Sequence, residues 1–161
     1  MKKALTIFIS ILSFISCTNQ KYDKQMPADF SFKIINTTNN YDSKTGIYVR
    51  NYLYKDSIVR VAITQKEMNI IYELFKKNDF LSFPDNFECS IFGTKTLPAF
   101  DTTIEITYKG LKKRVKNTDY CNMKKEQRKS DKFDEFSSEI QKIINNKTEI
   151  KNMRDCDMMF L

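Results

Sequence analysis

At 161 residues, with three glycines and three prolines, the chain is long enough for one folded domain and too short for two ordinary ones. It contains no histidine, which excludes Ser-His-Asp and Cys-His catalytic machinery and any zinc site with a histidine ligand. The formal net charge of +7 favours anionic partners in a general way but says nothing about the fold.

The N-terminus has the pattern of an export signal. Two lysines precede a largely apolar run of 13 residues that ends at Ser16, which is too short for a transmembrane helix and typical of a signal peptide. Cys17 follows directly. Phe14 to Cys17 resembles the lipobox of small bacterial lipoproteins, with phenylalanine where leucine is usual. The resemblance implies that residues 1–16 are removed and that Cys17 carries a covalent lipid.

An ordinary secreted protein, or an uncleaved anchor in which Cys17 is incidental, is the alternative. Residues 17–29 are mostly polar and are expected to form a flexible tether. No aspartate follows Cys17, so the lipoprotein resemblance implies the outer membrane rather than the inner membrane.

Three strands are predicted before the first helix. Residues 30–36 alternate apolar and polar side chains, whereas residues 38–46 read as a turn-rich loop. Residues 47–54 alternate again, with Ile47, Val49 and Leu53 expected on one side and Tyr48, Arg50, Tyr52 and Tyr54 on the other. A third strand is expected near residues 58–63, paired with the second as an antiparallel hairpin.

Two helices and a second hairpin complete the predicted elements. Thr64 and Glu67 have the spacing of a capping box, followed by an apolar stripe at helical period. Residues 101–116 predict a hairpin that turns at Lys109 and Gly110. A final helix is expected to begin near Ser130 or Asp131, because the apolar residues that follow recur at helical spacing.

The predicted order is therefore β-β-β-α-β-β-α. It indicates a single α+β domain over residues 30–147, with an antiparallel sheet and two helices packed on one face. Residues 148–161 are expected to form a C-terminal tail.

The long segment between the first helix and the second hairpin is unusually aromatic. Long loops in compact domains are often functional, so Phe83, Phe87 and Phe92 are candidates for a binding surface, together with Tyr48 and Tyr52 on the second strand. The alternative is that these rings cover the open sheet face and complete the core.

Three cysteines remain once Cys17 is assigned to the lipid. A disulfide between Cys89 and Cys121 is the favoured pairing, and Cys121 with Cys156 is its main rival. No close Cys-x-x-Cys pair is present, and neither a metal nor another cofactor is expected.

Carboxylates and basic runs are the remaining candidate groups. Asp85 with Glu88, and Asp101 with Glu105, are near enough in sequence for acid–base chemistry, although such pairs are usually solvated. The basic runs at 109–116 and 124–129 suit anionic lipid or lipopolysaccharide headgroups, or a solvated surface. Nucleic acid is not expected, since no aromatic reader motif accompanies them.

These features favour a non-enzymatic binding module, anchored to the membrane by its lipid, with a protein or an anionic envelope component as partner. An immunity-type inhibitor of an exported toxin is the alternative, and a carboxylate-based hydrolase the weaker one. The tripeptides at 56–58 and 101–103 resemble the O-glycosylation acceptor of exported Bacteroidetes proteins, which implies that lineage.

Overall fold

The computed structural model describes residues 22–94 and 99–157, so the expected signal peptide and Cys17 lie outside the described residues. The domain is an α+β fold with one antiparallel sheet of six strands in the order β4-β3-β2-β1-β5-β6. The strands are β1 (Ser31–Asn36), β2 (Asn39–Asp42), β3 (Ile47–Arg50), β4 (Ser57–Arg60), β5 (Asp101–Tyr108) and β6 (Leu111–Thr118). The helices are α1 (Gln65–Lys77), α2 (Gln127–Asn145) and the short α3 (Thr148–Lys151).

One continuous row of side chains across the sheet builds the core. Cross-strand pairing aligns Val59, Tyr48, Tyr41, Ile34, Ile104 and Val115 from β4 to β6. Directly paired residues share one face of a sheet, and this face is the one that α1 and α2 cover. Helical residues such as Phe75 and Phe136 belong to the same buried cluster.

Strand β2 was not predicted, since residues 38–46 were expected to be a loop. Its Tyr41 pairs with Ile34 on one side and Tyr48 on the other. This pairing turns Tyr48 inward and leaves Ile47 and Val49 on the opposite face, so the buried face of the second predicted strand is the tyrosine face. Alternation alone could not distinguish the two faces, because both carry apolar side chains.

The local signals in α1 and in the β5–β6 turn are confirmed. The Thr64 hydroxyl accepts a hydrogen bond from the Glu67 amide, and the Glu67 carboxylate accepts one from the Thr64 amide. Lys109 and Gly110 both have positive φ, as a two-residue hairpin turn requires. The Asp29 carboxylate accepts hydrogen bonds from both of their amides.

Helix α2 begins at Gln127, three residues before the earliest predicted start. The buried position in its first turn is Ser130, which is polar, so the apolar pattern begins only at Phe133. Within residues 22–94 and 99–157, no helix has the length and apolar character needed to cross a membrane.

Both segments that flank the predicted domain pack against it. Tyr22 and Met26 contact the core, so the described part of the expected tether, residues 22–29, is attached to the domain. In the expected tail, Ile150 is buried and Met153 packs beside it. The sequence pattern missed these contacts because each segment contributes only isolated apolar residues.

Candidate functional site

Four of the five aromatic residues proposed for a binding surface are buried. Phe83 and Phe87 are 2% and 4% exposed, and their rings contact each other and Phe133. They complete the core beneath the loop and do not form an accessible surface. Only Phe92, 79% exposed, is available to a partner.

The two tyrosines are also occupied within the domain. Tyr48 is buried in the cross-sheet row. Tyr52 is buried as well: its hydroxyl donates to the Arg154 carbonyl oxygen at 2.7 Å, and the Arg154 guanidinium lies 4.4 Å from its ring centroid. Tyr52 therefore holds the C-terminal segment in place and is not a binding surface.

The cysteines adopt the favoured pairing. Cys89 and Cys121 form a disulfide with their Cα atoms 6.0 Å apart, so it joins the aromatic loop to the segment after β6. Cys156 is a free thiol that donates to the Asn51 carbonyl oxygen. Among the described residues, no three Cys, Asp or Glu side chains are placed so that they could hold a metal ion.

The candidate carboxylates each bind a cation and do not pair with one another. Asp85 lies 2.5 Å from Lys113, Asp101 lies 2.6 Å from Lys116, and Glu88 pairs with Lys125; Glu105 is 3.6 Å from Arg114. The hydrogen bond from Lys125 lowers the pKa of Glu88. Burial opposes ionisation of Asp101, but hydrogen bonds from Lys116 and Thr118 outweigh it and lower its pKa. Carboxyls held ionised in this way suit surface ion pairs better than general acid catalysis.

The helix-free face of the sheet carries a concave basic surface, which we call the basic groove. It has a volume of about 350 Å³. On this face its charged lining consists of four cations and two carboxylates, namely Lys33, Lys44, Lys112, Arg114, Asp42 and Glu105. Lys113 also borders it, but Lys113 is paired with the buried Ile106 across the strands and its ammonium pairs with Asp85. Such an excess of positive charge in a concave site attracts anions.

Strand register explains why these residues meet. Lys33 of β1 pairs with Asp42 on one side and Glu105 on the other, and Glu105 pairs with Arg114. The basic run of β6 was identified from the sequence, but Lys33 and Lys44 were not. The only sequence signal for Lys33 was its position between Phe32 and Ile34, which places it on the opposite face.

No family model matches this sequence, and no curated protein is significantly similar to it.

Proposed function

We propose that the protein is a lipid-anchored, non-catalytic binding module of a bacterial cell envelope, and that its basic groove binds anionic lipid headgroups. The observation that carries this proposal is the groove itself, where four cations and two carboxylates converge on the face that neither main helix covers. The lipobox at Cys17 supports the location.

The point at which the N-terminal segment attaches to the domain also supports a groove that faces the membrane. The Asp23 amide donates to the Tyr108 hydroxyl at 2.9 Å, and Lys109 Nζ lies 2.7 Å from the Asp23 carboxylate. The chain thus enters the domain beside the β5–β6 turn. Lys112 follows that turn and lines the groove, so the N-terminal segment and the groove lie at the same end of the sheet.

Chain length then limits how far the domain can stand from its anchor. Five peptide units separate Cys17 from Tyr22, and five residues span at most about 18 Å when fully extended. A lipid on Cys17 would therefore keep this end of the sheet close to the membrane surface. Basic residues near an anionic surface contribute about 1 kcal/mol each, and a basic patch strengthens a lipid anchor.

A vesicle flotation experiment tests the proposal. The mature chain carrying Cys17→Ala removes the acyl anchor and isolates the contribution of the groove. It should float with vesicles that contain phosphatidylglycerol and not with pure phosphatidylcholine vesicles. Binding should weaken between about 0.1 M and 1 M salt, because the Debye length falls from about 10 Å to about 3 Å.

Equal binding to both vesicle types, or no binding to either, would contradict the groove as a headgroup site. If the immobilised domain instead retains one envelope protein at one-to-one stoichiometry and binds no vesicles, the inhibitor alternative is favoured.

A further inference from the structure

The part of the helix-free face that lies beside the basic groove is apolar. Ile58 of β4 pairs directly with Val49 of β3, and Ile47 lies two residues before Val49 on the same strand, so all three side chains project from this face. Ile58 is 65% exposed, whereas Ile47 and Val49 are partly exposed. We call these three residues the aliphatic patch.

Strand register joins the aliphatic patch to the basic groove. Ile47 pairs with Asp42 of β2, and Asp42 pairs with Lys33 of β1. Both charged residues line the groove. On its other side Ile47 pairs with Arg60 of β4, which is exposed. The patch therefore lies between a cation at the sheet edge and the cations of the groove, on one continuous surface.

The charge around the patch restricts what can cover it. A second copy of this chain docked face to face would bring two groups of cations together, because such a contact uses the same surface on both copies, and like charges at a contact are unfavourable. An anionic bilayer has no such conflict, since its headgroups pair with the cations and its acyl region takes up exposed aliphatic side chains.

We infer that the aliphatic patch inserts into the acyl boundary of an anionic bilayer, so that the helix-free face of the sheet lies against the membrane. The inference rests on the proposed headgroup site and adds the orientation of the domain to it. The cations of the groove then stay at headgroup level, where the long stems of lysine and arginine let their charges reach water. Surfaces that lie on a bilayer bind through buried apolar area and electrostatic attraction together, and this face provides both.

Tryptophan fluorescence tests the inference, because the chain contains no tryptophan. Ile58→Trp introduces a single emitter at the patch, in a strand, where aromatic residues are favoured. Ile70→Trp is the matched control, since Ile70 is an isoleucine on α1 that is 45% exposed. Both variants are made in the mature chain with Cys156→Ala, which removes the free thiol of the domain and leaves Cys17 for coupling to a maleimide lipid in phosphatidylglycerol vesicles.

In the tethered chain, the emission of Ile58→Trp should move to shorter wavelength and should be quenched by phospholipids brominated on their acyl chains, because the ring leaves water. The emission of Ile70→Trp should keep its wavelength and intensity. In the untethered Cys17→Ala chain, Ile58→Gln should weaken binding to phosphatidylglycerol vesicles about fivefold or more, since it removes apolar area, and Ile70→Gln should leave binding unchanged.

The tether holds the domain at the vesicle whether or not the groove binds, so failure of the patch and failure of the groove give different results. Unshifted emission from tethered Ile58→Trp would overturn the inference, even if the untethered chain floats with anionic vesicles. Loss of that flotation with the shift retained would contradict the headgroup site and support the inserted patch. A dimer in solution that Ile58→Gln dissociates would assign the patch to a second copy and would also overturn the inference.

Discussion

Lys147 Nζ lies 2.6 Å from Glu67 Oε2, and the same oxygen accepts hydrogen bonds from the amide and the hydroxyl of Thr64. Glu67 therefore completes the N-terminal cap of α1 and also holds the residue that precedes α3. Burial disfavours the ionised form of Glu67, but the hydrogen bonds from Lys147 and Thr64 outweigh it. The pKa of the carboxyl consequently lies below its ordinary value.

Glu67→Gln should lower the free energy of unfolding by about 1–2 kcal/mol at pH 7, since it removes a charge-assisted hydrogen bond. The folded pKa is depressed, so this contribution is present above the unfolded pKa of about 4.3 and is lost as the pH falls through the folded value. Urea unfolding at a series of pH values measures it. Glu73, whose side chain is 65% exposed beside Lys76, provides the control, because Glu73→Gln should change stability by at most about 1 kcal/mol. A deficit for Glu67→Gln that stays the same below pH 4 would contradict this role.

The disulfide between Cys89 and Cys121 should contribute more to the free energy of unfolding than any single hydrogen bond does. Cys89 and Cys121 are separated by 32 residues, and a closed loop of that length contributes about 3–4 kcal/mol in the chain-entropy description. The double variant Cys89→Ala/Cys121→Ala should therefore unfold at a lower urea concentration and be insensitive to reductant. Cys156→Ala, the matched single-thiol control, should keep the reductant sensitivity of the parent chain. If reductant leaves the stability of the parent chain unchanged, the pairing is wrong.

Truncation of two phenylalanines in the aromatic loop should have very different effects on stability. Phe87→Ala should lower the free energy of unfolding by about 3–5 kcal/mol because it opens a cavity in the core. Phe92→Ala should change the free energy of unfolding by no more than about 0.5 kcal/mol, because that ring is exposed. Thermal and urea unfolding of the two variants provides the comparison. A large loss in Phe92→Ala would mean that the segment packs differently.

The aromatic segment also shows where sequence patterns stop being informative. The capping box at Thr64 and the turn at Lys109–Gly110 were predicted because each depends on residues within a few positions of one another. Phe87 and Phe92 follow no helical or strand period, so their local sequence could not show which ring is buried. That difference arises from contacts with α2, more than 40 residues further along the chain.

Strand β2 and the full extent of the basic groove were missed for a related reason. Asn39–Asp42 contains one aromatic residue, Tyr41, and becomes a strand through its pairing with β1 and β3. The basic groove combines a visible basic run with Lys33, which joins it only through register.

The lipid anchor yields a prediction that is independent of the domain. Cys17→Ala in the full chain should abolish labelling with radioactive palmitate and move the protein out of the membrane fraction, because the thiol is the proposed attachment site. Cys156→Ala should leave labelling unchanged and serves as the control thiol. Labelling that survives Cys17→Ala would show that the lipobox interpretation is wrong.

The proposed headgroup site is tested most directly by the dissociation constant of the unlipidated chain for phosphatidylglycerol vesicles. Lys112→Gln/Arg114→Gln should raise it about thirtyfold, since each basic residue near the surface contributes about 1 kcal/mol. The control variant Lys66→Gln/Lys132→Gln makes the same charge change at exposed positions on α1 and α2. Because these residues lie outside the groove, the dissociation constant should stay within about twofold of the parent value. An equal loss in both double variants, or no loss in the groove variant, would contradict binding in the basic groove.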